Sequence, residues 1–282
     1  YEYPFLKNDV NATWLGTSGS PVQFFNYFKR QEEDNAIFYT PYASWSFSPE
    51  TLPQFNTKTP YTELCYWGTL FANMEKEESN IRILTTQNIT PKLNMLIYYH
   101  NFKGNGMLKR EDTGNRTLTA STNYLGERYL MHSGFIYNKV ERSENGGLID
   151  QSWIRDTTVD AREIDVRLKN AGNKLKRNTL FLDQMYRIPF SFLKKEKGKE
   201  GSDSTSIAAP APVKADTVSI DTDVTTAFIG HSSEYTVIRK SYDDNITSSD
   251  ANARDFFDNR FYLNPTTSHD SLRVMRLENK VF

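Results

Sequence analysis

The sequence predicts an all-β chain of antiparallel strands, and three observations carry that reading. Segments of roughly ten residues, rich in Thr, Tyr, Phe, Ile and Leu, recur along the 282 residues and end at Asn, Gly, Pro or charge. Within several of them apolar and polar residues alternate with a period of two. The chain is 13% aromatic yet has a mean hydropathy of −0.64, which suits many half-exposed strands better than a thick helical core.

Composition removes several classes. No run of about 18 apolar residues occurs, so a transmembrane helix is excluded, whereas a transmembrane barrel is not. The net charge is −1 with both signs interspersed. No basic stripe of the kind nucleic acid requires stands out, and no nucleic-acid partner is expected. Cys65 is the sole cysteine, so no disulfide framework or Cys-based zinc site can form within one chain. The opening YEYPFLKNDV lacks the charged and apolar regions of a signal peptide. Either such a peptide has been removed or the chain starts inside a longer one.

Strands are expected over 24–30, 36–47, 60–72, 80–89, 93–102, 115–125, 128–138, 178–190, 226–241 and 271–282. NITPKLN and NYLGERY read as tight connections, with Gly126 supplying positive φ in the second. The connections at 103–114 and 139–176 are long, and VDAREIDVRLKNA in the latter reads as a helical piece. Short turns alternating with long loops is the asymmetry of an outer-membrane barrel. Residues 194–225 are charged, rich in Pro, Ala and Ser and free of aromatics, so a disordered linker or loop is expected there. Strand counting places it at the short-turn end.

The alternation assigns faces. Leu180, Leu182, Gln184, Tyr186, Ile188 and Phe190 share one face of their strand, and Phe181, Asp183, Met185 and Arg187 the other. Tyr129, Met131, Phe135 and Tyr137 oppose His132, Gly134 and Asn138, and Leu118, Ala120, Thr122 and Tyr124 oppose Thr117, Thr119, Ser121 and Asn123. An apolar face against a polar one fits a wall between lipid and water. It also fits a soluble sandwich with its apolar faces packed together, and alternation alone leaves both open. Phe102, Tyr124, Tyr129, Tyr137, Tyr186 and Phe190 near strand ends favour the membrane interface.

Candidate chemistry is sparse. His100, His132, His231 and His269 lack metal-ligand spacing. Asp150, Asp156, Asp160, Glu163 and Asp165 are interleaved with Arg155, Arg162 and Arg167, which favours a solvated salt-bridged loop over a calcium site. LGTSGS at 15–20 lacks the ending of a phosphate loop, and neither Ser18 nor Ser20 sits in a nucleophile elbow. No enzyme, cofactor or metal is expected.

Taken in order, WLGTSGSP, FFNYFKR, YTPYASW, FNTKTPYTELCYW, ILTTQNITPKLNMLIYY, NYLGERYLMHSGFIYN, ENGGLID, FLDQMYRIPF and IGHSSEYTVIRKSYDDN resemble the Putative porin family of Bacteroidetes outer membranes. The resemblance implies an antiparallel transmembrane β-barrel in the bacterial outer membrane, acting by passive diffusion of small solutes. It also implies a longer chain, with 1–282 an N-terminal portion lacking closing strands. The organisation expected is an entry or plug-like segment at 1–23, barrel strands over 24–193, the linker at 194–225 and further strands over 226–282. The pore-tuning candidates are Asp183, Arg187, His132, Asn123 and Asn94, while NGG at 145–147 is expected to shape a loop. Lipid is the expected partner, with other outer-membrane proteins as further ones. The family gives no solute and no catalytic residues. DST at 203–205, DTV at 216–218, DTT at 156–158 and DSL at 270–272 resemble periplasmic O-glycosylation sites of the same bacteria. Two other classes stay in view: a soluble or surface-tethered β-sandwich that binds glycan or protein, and a non-conducting structural barrel.

Overall fold

The computed structural model describes residues 5–6, 9–14, 16–17, 19–30, 42, 44–69, 78–155, 158–189, 226–246, 251–257 and 267–282. Two short strands, β1 (Ala12–Trp14) and β2 (Val22–Phe24), pair antiparallel near the start. The body is one sheet of eight strands: β3 (Tyr61–Gly68), β4 (Glu78–Thr90), β5 (Leu93–Asn105), β6 (Asp112–Leu125), β7 (Tyr129–Glu144), β8 (Ala171–Pro189), β9 (Thr226–Asn245) and β10 (Thr267–Val281). Each strand pairs with its neighbour in sequence, antiparallel throughout, and β3 and β10 are the edges. A seven-residue helix, α1 (Ala251–Phe257), lies between β9 and β10.

The connections sort by end. Pro91–Lys92 and Gly126–Arg128 close one end, and Pro189 faces Thr226 in register there, so the β8–β9 connection leaves from that same end. The linker at 194–225 lies outside the described residues. The opposite end carries the β5–β6 connection and the long β7–β8 connection over 145–170.

Gly126 is required for a different reason from the expected one. It is absent from the positive-φ glycines. Instead its amide donates to Tyr129 O at 2.9 Å, and a Cβ there would meet that same oxygen at 2.8 Å. In NGG, by contrast, Gly146 and Gly147 have φ of 65° and 85°, the left-handed region that glycine enters at little cost.

Several expected elements differ. Of the strand expected at 24–30, only Phe24 is extended into β2, and Tyr27–Lys29 is a 3-10 turn capped by Asn26. Of 36–47, the described residues are 42 and 44–47, and none of them is in a strand. Residues 158–170 contain turns and one bridge, Leu148 to Val166, and no helix. β7 and β8 run on to Glu144 and back to Ala171, well into the loop expected at 139–176.

The described residues 16–17, 19–30, 42 and 44–57 supply a strap across one face of the sheet. It starts at the long-loop end, where Gly16 approaches Glu111 and Asn115 Nδ2 donates to Gly19 O at 3.5 Å. Midway, Trp45 stacks on Phe102 at 5.6 Å, and Phe47 exchanges two hydrogen bonds with the Asn138 amide. It ends near the short turns, where Thr57 N donates to Asn88 Oδ1 at 3.2 Å. Leu52, Phe47 and Phe55 pack there on Leu84, Leu96, Tyr98, Ile136 and Phe181. Nearer the start of the chain, Phe5, Val22 and Trp14 pack around Trp45.

Candidate lumenal surface

The two faces of the sheet have opposite chemistry to a soluble protein. On β6 the covered residues are Thr113, Asn115, Thr117, Thr119, Ser121 and Asn123, all polar and all buried, with Thr119 at 0% exposure. The opposite face of the same strand presents Leu118, Ala120 and Tyr124. Period two imposes this on every strand once the register is set.

Two register rows of the uncovered face are mainly apolar across the eight strands. In register lie Leu64, Ile83, Tyr99, Leu118, Tyr137, Asn178, Val237 and Met275, then Thr62, Thr85, Ile97, Ala120, Phe135, Leu180, Tyr235 and Leu277. Leu64 is 72% exposed, Leu180 58% and Leu277 64%. The next row is Gln87, Met95, Thr122, Ser133, Leu182, Ser233 and Asn279. Two of its hydroxyls, Thr122 and Ser133, bond each other at 3.0 Å. On β7 the uncharged outward run from Tyr137 to Tyr129 covers about 27 Å along the strand at 3.4 Å per residue. A tilt of about 40° reduces that to roughly 21 Å, close to the apolar band of an outer-membrane barrel.

Charge within this band points the other way, onto the covered face. All five predicted residues project from that face, though they differ in setting. Asn94 is tied down: it accepts from Thr86 Oγ1 at 3.1 Å and donates to Asn88 at 2.7 Å. Asn123 is buried on the covered side of β6. His132 is buried and bonds Gln54 of the strap at 3.1 Å, with its ring edge against Phe181. Asp183 lies 3.9 Å from His132 Nδ1 and accepts from Ser232 Oγ at 2.5 Å. Arg187 is exposed toward the short-turn end, in register with Phe228.

His132 and Asp183 meet residues that alternation along single strands missed. A cavity of about 230 Å³ opens between the strap and β7–β10, bounded by Glu50, His132, Asp183, Glu234, Glu278 and Lys280. Glu234 and Glu278 face each other in register. Arg177 reaches Glu234 at 3.2 Å and Thr236 Oγ1 donates to it at 2.8 Å, while Arg276 pairs with Glu278. The signal for Glu234 and Glu278 was their parity with Asp183, but SSEYTVIRK alternates too weakly to fix a face alone. A larger cavity of about 760 Å³ lies nearer the long-loop end, bounded by Tyr42, Arg142, Glu144, Lys240, Tyr242 and Phe256.

The remaining candidates disperse. His100 bonds Asn80 at 2.7 Å, His231 bonds Gln184 at 3.1 Å on the apolar face, and His269 pairs with Asp243. Asp165 pairs with Lys109, Asp150 accepts from Ser152 N and Asp160 from Arg162 N. Among the described residues no three His, Cys, Asp or Glu converge on a metal-sized point. Ser20 is fully buried in a turn, bonded to Thr17 Oγ1 at 3.0 Å.

A single antiparallel sheet with a polar covered face and an apolar uncovered one defines the class of a β wall of porin type. The family model described as Putative porin matches residues 2–282, and the chain belongs to that family. No curated protein and no solved structure matches it.

Proposed function

We propose that the eight strands form part of the wall of an outer-membrane β-barrel, with the apolar face in lipid and the strap-covered face lining a lumen for passive diffusion of small solutes. The observation that carries this reading is the outward belt, which runs from Leu64 on β3 to Leu277 on β10 with Asn178, Thr62 and Thr85 as its polar members and is free of Asp, Glu, Lys and Arg. A soluble sandwich needs a second sheet on Leu118 and Leu180, and those residues are exposed. Closure in lipid requires the edges β3 and β10 to be paired. Solute preference then rests on Asp183, Glu234, Glu278 and Lys280, whose mixed charges set the local field beside the strap.

A second reading, the non-conducting structural barrel, draws on one observation. The strap packs Leu52, Phe47 and Trp45 into the covered face and leaves separate cavities. Two measurements decide. Purification with and without detergent tests the membrane wall, and a stable soluble monomer without detergent ends that reading. Planar-bilayer recording then separates the barrels: discrete conductance steps support diffusion, and insertion without current supports the structural alternative.

A further inference from the structure

At the long-loop margin of the belt one register row differs from all the others. Arg116 on β6 faces Lys139 on β7, which faces Lys176 on β8, then Arg239 on β9 and Arg273 on β10. Five cations stand side by side on five adjacent strands, all pointing to the apolar side. At about 4.8 Å per strand step the row is roughly 19 Å wide.

This row has no structural counterbalance of matching size. Lys139 pairs with Glu141 at 2.6 Å, and Glu141 is shared with Lys174 at 3.0 Å. Arg116, Lys176, Arg239 and Arg273 have no carboxylate partner among the described residues, and Arg273 only donates to Met275 Sδ at 3.6 Å. Like charges directly opposite on neighbouring strands destabilise a sheet, so four successive like pairs cost stability unless an anion lies on them. Immediately below sit Tyr99, Leu118, Tyr137, Val237 and Met275. Any group bound by the row therefore has its apolar part against the belt.

The other margin has no such row. Leu93, Tyr124, Met131, Gln184, His231 and Val281 lie there in register, with Tyr129 donating to Gln184 at 3.0 Å. The asymmetry separates two leaflets. Long loops mark the outer side of a barrel, which puts the cations at the outer leaflet.

We propose that this row binds the phosphate groups of an outer-leaflet glycolipid, with lipid A the fitting chemistry: anionic phosphates on a headgroup above several acyl chains. The proposal rests on the membrane-wall reading above. Arg supplies forked donors that match phosphate geometry, and Lys supplies point charge.

The test uses the full chain in uncharged detergent, titrated with bis-phosphorylated lipid A, with enzymatically dephosphorylated lipid A and with phosphatidylglycerol, and bound lipid is counted by native mass spectrometry. The variant Arg116→Gln/Lys176→Gln/Arg239→Gln is compared with Lys58→Gln/Lys92→Gln/Arg128→Gln, which removes equal charge at the short-turn end. At about fivefold per cation near an anionic surface, the first variant loses on the order of a hundredfold in lipid A affinity, and the second is unchanged. Arg116→Lys/Arg239→Lys retains most of the binding, which separates lost charge from misfolding. Equal loss in both triple variants, or equal binding of dephosphorylated lipid, overturns the proposal. Tighter binding of phosphatidylglycerol than of lipid A also overturns it in favour of a general anionic-lipid surface. Insertion into phosphatidylcholine liposomes is scored in parallel: insertion without lipid A selectivity sinks this inference alone, and failure to insert sinks the membrane wall beneath it.

Discussion

On β6, Thr119 and Leu118 are adjacent in sequence and opposite in fate: the hydroxyl side chain is fully buried and the leucine 42% exposed. In a soluble sheet those roles are exchanged, because burial of apolar area is the main favourable term and an unpaired buried hydroxyl is a cost. The covered face gains its packing from the strap, in particular from Trp45, Phe47 and Leu52. The uncovered face has no protein partner among the described residues. The difference teaches that stability here has two sources, a side-chain core on one side of the sheet and a proposed lipid solvent on the other, and substitutions on each face test them separately.

The largest effect is expected on the covered face. Trp45 is 3% exposed, donates from Nε1 to Ser20 O at 2.7 Å, and stacks on Phe102. Trp45→Ala removes a large aromatic group from a packed site, at a cost of about 3–5 kcal/mol. Limited proteolysis should then cut the strap between 19 and 57 while β8–β10 stay protected. If the strap narrows a lumen, single-channel conductance also rises; unchanged cleavage would break the idea that Trp45 anchors it.

Next comes the uncovered face. Leu180→Arg puts a guanidinium at mid-belt, where the bilayer midplane charges about 2–4 kcal/mol, falling toward zero at the interfaces. Urea titration in lipid vesicles reads it directly. A change within about 0.5 kcal/mol, ordinary for a water-facing position, contradicts a lipid-facing belt.

A smaller effect returns to the covered side. Glu234→Gln leaves Arg177 without its carboxylate partner and weakens the acceptor for Thr236. Stability falls by about 1–3 kcal/mol, the cost of a charged group losing its hydrogen-bonded partner. In a conducting barrel the reversal potential under a salt gradient moves toward anion preference. No movement places Glu234 off the permeation path.

Much of this was legible in local pattern. Alternation along 115–125, 128–138 and 178–188 predicts the same faces that the register displays, because period two is a property of the backbone, while Phe190 lies outside the described residues. What escaped was non-local. FFNYFKR and YTPYASW read as strands by composition, yet Trp45 at the end of the second is held by Phe102, and Phe47 just beyond it by Tyr98 and Asn138, all far along the chain. Charge hid the ends of β7 and β8: Lys139, Glu141 and Lys174 look like loop chemistry until a pair along β7 at 2.6 Å and a cross-strand pair at 3.0 Å join them. The basic row was invisible for the same reason, since its members come from five separate segments and only pairing aligns them.

The smallest expected effect lies off both faces, in the β7–β8 connection. Lys109 Nζ donates to Glu163 O at 2.8 Å and sits 3.0 Å from Asp165 Oδ1. The hydrogen bond that Lys109 donates to Asp165 Oδ1, followed by the lysine's charge, holds the Asp165 carboxyl below its ordinary range. Because the folded value is depressed, folding favours the ionised form. The contribution is complete above the unfolded carboxyl value, about 3.9, and is lost as pH falls through the lower folded one. Both side chains are substantially exposed, so screening leaves little global stability in the pair. Asp165→Asn should therefore not move the unfolding midpoint. Its signature is local: the Ile149 amide, which donates to Asp165 O at 3.3 Å, should exchange faster in the variant at neutral pH, and in the wild type only on acidification. Equal exchange in both at neutral pH would mean that backbone pairing alone, through Arg167 to Gly147 and Leu168 to Asn145, fixes the loop.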